Sequence, residues 1–146
     1  MRAALVERPI DVTPLLAEVS HRANGATVLF VGTVRDVNDG RAVTGIDYSA
    51  YAGMAERELA DIAREAGERF GTEHVVVEHR VGTLELGEAS VAIAVAHPRR
   101  AQAYDASRWV IEEIKRRVPI WKREHYADGT REWVDPTRSQ QDLVRP

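Results

Sequence analysis

The chain contains no cysteine. That absence excludes disulfides, thiolate metal sites, a cysteine nucleophile and any persulfide carried on the chain itself. Lysine is nearly absent too: of the twenty Lys and Arg residues only Lys115 and Lys122 are lysines. No apolar run approaches the roughly 20 residues of a membrane span, and the N-terminal stretch MRAALVERPIDV lacks the apolar core of a signal peptide. A cytoplasmic protein without membrane association is therefore the expectation. There is no Gly-rich phosphate loop, no GxSxG and no carboxylate pair in a catalytic context. The five histidines (His21, His74, His79, His97 and His125) show neither HxH nor HExxH spacing. They read as surface or capping residues, and neither a metal nor a resident cofactor is expected. A net charge of −3 argues against general nucleic-acid binding.

What is present suits one soluble globular domain over residues 1–146, with 29% charged and 44% hydrophobic residues. Residues 2–7 read as a first strand. In DVTPLLAEVSHRANG, Thr13 is a candidate N-cap, Pro14 occupies the first helical position and Asn24-Gly25 is the stop. ATVLFVGTVRD (26–36) reads as a central strand, and AVTGIDYSAY (42–51) as the strand returning from a polar turn, so the two form a hairpin. Met54, Leu59, Ile62, Ala63, Ala66 and Phe70 recur at helical spacing, and Gly71 ends that helix. HVVVEHRVG, TLELGE and ASVAIAVAH read as strands. A helix follows from about Arg99 to Arg117, since Pro119 disfavours helical geometry at Val118. IWKREHYADGTREWV closes with a hairpin turning at Asp128-Gly129, and the tail from about residue 138 reads as disordered. Hairpins outnumber βαβ units, so the class is α+β with a mostly antiparallel sheet.

The chemistry-bearing residues are cationic and stand at element ends: Arg35, the pair Arg99-Arg100, and the run IKRRVPIWKRE (114–124). Two arginines at a helix N-terminus oppose the dipole, which favours anion binding over helix stabilisation, although solvated arginines in a turn fit as well. Lys115 falls at the border of the apolar stripe of its helix, one turn from the end. Partial burial and neighbouring cations lower a lysine pKa, and a neutral amine can act as a base or attack a carbonyl where a guanidinium cannot. The plainer alternative is a lysine that snorkels and suits the helix C-terminal dipole. Beyond Pro119, alternation puts Ile120, Lys122 and Glu124 on one strand face and Trp121 and Arg123 on the other. Trp121 reads as a core residue rather than a base-stacking platform. From Arg99 to Lys115 is about 24 Å along a helix, too far for one small ligand. Either these are two sites, or helix ends from two subunits meet in a composite, positive pocket.

The segments FVGTVRD, YAGMAERELADIA, HRVGTLELGE and VPIWKRE…DGTREWV together resemble the large, catalytic subunit of molybdopterin synthase, over roughly residues 25–135. The resemblance implies an α/β-hammerhead-like fold and a sulfurtransferase of molybdenum cofactor biosynthesis. It also implies a homodimer that, with two copies of a small ubiquitin-like sulfur carrier, forms a heterotetramer. Such an enzyme takes sulfur from the carrier's C-terminal thiocarboxylate and inserts two sulfurs into cyclic pyranopterin monophosphate, giving the dithiolene of molybdopterin. By the same resemblance the catalytic lysines are Lys115 and Lys122, and Thr33, Val34, Arg35, Arg99, Arg100, Arg123 and Glu124 bind substrate. Where the family carries histidine, counting back from the lysine without gaps, this chain has Arg99, with His97 two residues earlier. Zero cysteine fits sulfur arriving on a partner. The alternative is a non-catalytic module that binds a phosphorylated ligand and regulates a partner.

Overall fold

In a computed structural model, residues 1–134 are described. The tail expected to be disordered lies outside them. The elements are β1 (Arg2–Val6), α1 (Val12–Val19), β2 (Ala26–Thr33), β3 (Val37–Asn38), β4 (Arg41–Ala50), α2 (Ala52–Phe70), β5 (His74–Arg80), β6 (Gly82–Glu85), β7 (Ala89–His97), α3 (Arg100–Arg117), β8 (Ile120–Tyr126) and β9 (Arg131–Val134).

Two sheets organise them. One runs β1-β5-β7-β2; the other runs β3-β4-β8-β9, with β6 also paired to β4. Only β1 and β5 are parallel, so the architecture is α+β and mostly antiparallel. The first sheet is covered on both faces, which explains why β5 and β7 are buried almost throughout, Glu78, His79 and Arg80 included. Val75, Val77, Ile93 and Val95 pack against Leu59 and Ile62 of α2 and Val110 and Ile114 of α3. On the other face Val76, Ala92 and Ala94 meet Leu15 and Val19 of α1.

Several local expectations change. The N-cap of α1 is Asp11, whose side chain accepts from the Thr13 backbone N–H at 3.1 Å. Thr13 is thus the residue capped, not the cap, and α1 ends at Val19, before the Asn24-Gly25 stop. β2 is an edge strand and pairs with β7, not with β4. The hairpin in this region is the short β3–β4 pair, turned by Asp39 and Gly40 at φ of 50° and 76°. Met54 begins the apolar stripe of α2 but is exposed, whereas Leu59, Ile62, Ala63 and Ala66 are buried. Gly71 closes α2 in the left-handed conformation with its N–H on the Gly67 carbonyl, as the spacing predicts. The α3 helix and the Asp128-Gly129 turn also fall where the sequence puts them.

Candidate active site

The second half of α3, the end of β2, the β3–β4 hairpin and the start of β8 enclose a cavity of about 420 Å³. That volume lies in the range of small-molecule sites. Lys115 and Lys122, from the helix and the strand on either side of Pro119, both line it, as do Thr33, Arg35 and Glu124. The Pro119 break thus turns a sequence neighbourhood into two walls of one pocket.

The arginines of the same run go elsewhere. Arg117 bridges to Glu58 and Glu65 of α2, tying the two helices together. Arg116 pairs with Glu113 on the solvated face. Arg123 points to the opposite face of β8 and binds Asp47 at 2.6 Å. There the carboxylate is also 2.9 Å from His125 and accepts from Thr83. Burial raises the Asp47 pKa, but these three partners outweigh it and hold the group well below the usual carboxylate range. Arg123 therefore does not face the cavity. Val34 does not either: it is buried with Val43, Ile46, Leu84 and Tyr126 in a small core beneath the sheet. Arg99 and Arg100 are exposed at the far end of α3 and do not line the cavity.

Two lysines in one cavity have different surroundings. Lys122 is half-buried, with Nζ 3.4 Å from Glu124 Oε1. Glu124 is itself fully buried and accepts from Asn38 Nδ2 with both oxygens, at 2.8 and 2.9 Å, and from the Tyr126 hydroxyl at 2.8 Å. Burial raises its pKa, but Asn38, Tyr126 and Lys122 outweigh that, so it is held below its ordinary value as an anion. Its oxygens are occupied, which makes it an anchor for Lys122 rather than a free substrate ligand. Lys115 has no ion-pair partner among the described residues. The residue as a whole is exposed, yet it lines the cavity, where desolvation followed by repulsion from Lys122 and Arg35 pushes its pKa down. The site thus holds one lysine beside a carboxylate and one whose pKa is pushed down.

His97 is removed from contention as an exposed anion ligand. It is buried at the end of β7, with Nε2 2.9 Å from the Phe70 carbonyl and Nδ1 accepting the Arg99 N–H at 2.9 Å. It fixes the turn into α3. Trp121, expected in the core, is partly exposed and packs edge-on against exposed Tyr51, with ring centroids 5.1 Å apart. Residue-level reasoning missed His79, Tyr48, Ser90 and Asn38, which also line the cavity. The available signal was alternation in β5, which puts His79 on the same face as Val75 and Val77. No group of His, Asp and Glu residues suited to a metal ion occurs among the described residues.

Fold and site together define an α+β protein with a lysine-lined cavity for a small ligand. The family model described as MoaE protein matches residues 5–117. The molybdopterin synthase catalytic subunit of Halalkalibacterium halodurans is 44% identical over 91% of this chain and 85% of its own length. The crystal structure of molybdopterin synthase from Staphylococcus aureus superposes with a TM-score of 0.85 at 36% identity, over 90% of this chain and 95% of that one. A complex of subunits 1 and 2 of molybdopterin-converting factor from Helicobacter pylori shares the fold, with a TM-score of 0.72 at 22% identity over 90% and 89% of the two chains. The chain belongs to the MoaE family. Its role is that of a catalytic subunit in molybdenum cofactor biosynthesis.

Proposed function

We propose that this chain, acting as one domain in the cytoplasm, inserts both dithiolene sulfurs into cyclic pyranopterin monophosphate. Sulfur arrives as the C-terminal thiocarboxylate of a small ubiquitin-like carrier. Among the described residues no helix is long and apolar enough to cross a membrane. The observation that carries the reading is the convergence of Lys115 and Lys122 on one cavity that also contains Arg35. Arg35 and Lys122 supply positive charge that suits a phosphate-bearing substrate and an anionic thiocarboxylate, both of which a guanidinium or ammonium hydrogen-bonds strongly.

In this reading Lys115, as an amine, sits beside the incoming thiocarboxylate and promotes sulfur attack or breakdown of the acyl intermediate. Lys122, fixed by Glu124, orients the substrate and stabilises developing negative charge. Thr33 and Arg35 take the near end of the substrate. Arg99 and Arg100 come from the second subunit of a homodimer, because their own helix carries them about 24 Å from Lys115. The carrier completes a heterotetramer. The fold neighbour from Helicobacter pylori was solved as a two-subunit complex, which supports a partner of this kind. Reconstitution tests the proposal: purified chain, thiocarboxylated carrier and the cyclic phosphate are mixed, and the product is weighed by mass spectrometry. A product carrying two sulfurs is expected; recovery of unchanged cyclic phosphate would sink the reading.

A further inference from the structure

His79 is the one imidazole that lines the cavity. Its ring is held on two sides. Nδ1 lies 2.8 Å from the Arg80 backbone carbonyl, an acceptor, so Nδ1 carries the proton and donates it. Tyr48 meets the ring edge-on, with centroids 5.3 Å apart at 76°. The tautomer that results leaves Nε2 with a lone pair. That atom has no hydrogen-bond partner among the described residues, and the ring lines the cavity. Burial, the Arg80 carbonyl and nearby Lys115 leave the pKa of His79 lowered to about 4, burial being the main cause and the carbonyl opposing it. The ring is neutral at physiological pH and stays an acceptor.

The rest of the cavity makes that acceptor consequential. Lys122 and Arg35 only donate, and the one carboxylate on the wall, Glu124, is already occupied by Asn38, Tyr126 and Lys122. A reduced pterin presents several N–H donors besides its phosphate. The other uncharged polar groups on the wall, the hydroxyls of Thr33, Tyr48 and Ser90 and the Asn38 amide, both donate and accept, whereas Nε2 in this tautomer only accepts. A pterin N–H buried without an acceptor costs affinity, which is how a site rejects the wrong ligand.

Building on the function proposed above, we infer that His79 is a substrate-recognition residue whose Nε2 accepts a hydrogen bond from an N–H group of the pterin. It reads the heterocycle while the cations hold the phosphate. Two substitutions separate the ring's two nitrogens. His79→Asn keeps a donor near the δ position for the Arg80 carbonyl but removes the ε acceptor. His79→Gln places an amide oxygen near the ε position.

With the intact carrier complex and cyclic pyranopterin monophosphate, His79→Asn raises KM about tenfold and leaves kcat nearly unchanged. His79→Gln stays within about threefold of the wild type. Unaltered KM in His79→Asn, or an equal loss in both variants, overturns the inference and leaves His79 a packing residue. A second measurement needs no variant: nitrogen-15 NMR of the wild-type protein labelled at histidine. Binding of the cyclic phosphate moves the Nε2 resonance of His79 toward its hydrogen-bonded position. A wild type that binds and converts substrate with this resonance unmoved contradicts the role of His79 alone. A wild type that neither binds nor converts it contradicts the function proposed above as well.

Discussion

Lys115 and Lys122 could be singled out from sequence because the chain writes almost every other cation as arginine. Their surroundings could not, since Glu124 acquires meaning only when Asn38 and Tyr126 close over it from β3 and the end of β8. Asn38 is therefore expected to matter more than a residue beside a hairpin tip normally does. Asn38→Ala strips the donor shared by both Glu124 oxygens and should cost about 1–3 kcal/mol of stability, read by denaturant unfolding. An unchanged midpoint would mean that water replaces the amide without loss. His79 makes a second prediction at this scale. Its folded pKa of about 4 lies below the ordinary 6.5, so between those values the unfolded chain binds a proton that the folded ring refuses. Stability from this group is complete above pH 6.5 and falls as pH drops toward 4, by up to about 3 kcal/mol. His79→Gln should flatten the difference between unfolding free energies at pH 7 and pH 5. Equal slopes in the two proteins would place the imidazole outside the buried, neutral state. The role of His79 was hidden in the sequence because what surrounds it comes from β4, where Tyr48 meets the ring, and from α3, which brings Lys115 nearby.

Among the elements, the helices and most strands were legible from periodicity and punctuation: the 3.6-residue stripe of α2, Gly71 after it, Pro119 after α3. Strand partners were not. β2 and β4 look like a hairpin because they are adjacent in sequence, yet β2 pairs with β7, some sixty residues away. Local pattern reports which face is apolar and says nothing of which distant edge is free. The same limit applies to Trp121: alternation puts it opposite Lys122, but whether that face is covered depends on the rest of the sheet. Gly67 tests the packing of an element end. A Cβ there would lie 2.6 Å from the Thr72 carbonyl oxygen, where α2 turns toward β5. Gly67→Ala therefore destabilises by about 1–3 kcal/mol, despite the better helix propensity of alanine. A variant with a raised melting temperature would show that this turn yields easily.

For the molecule as a whole, the fold class and the lysine pocket were legible, and the separation of Arg99 and Arg100 from that pocket follows from the length of α3. The proposed homodimer would bring the arginine pair of one subunit to the lysine pocket of the other, and complementation tests that proposal. A chain carrying Lys115→Ala and one carrying Arg99→Ala with Arg100→Ala are each expected to be inactive. Mixed, they re-form one intact composite site per heterodimer and recover about a quarter of wild-type activity. No recovery from heterodimers isolated as such would put all the required cations on one chain. The central claim rests on Lys115 as an amine rather than a charge, and Lys115→Arg with Lys115→Ala as its companion tests it most directly. In the reconstituted reaction both variants should lose at least about 100-fold in the rate of dithiolene formation, with melting temperature and assembly unchanged. Near wild-type turnover by Lys115→Arg would show that only positive charge is required at this position and would contradict the account.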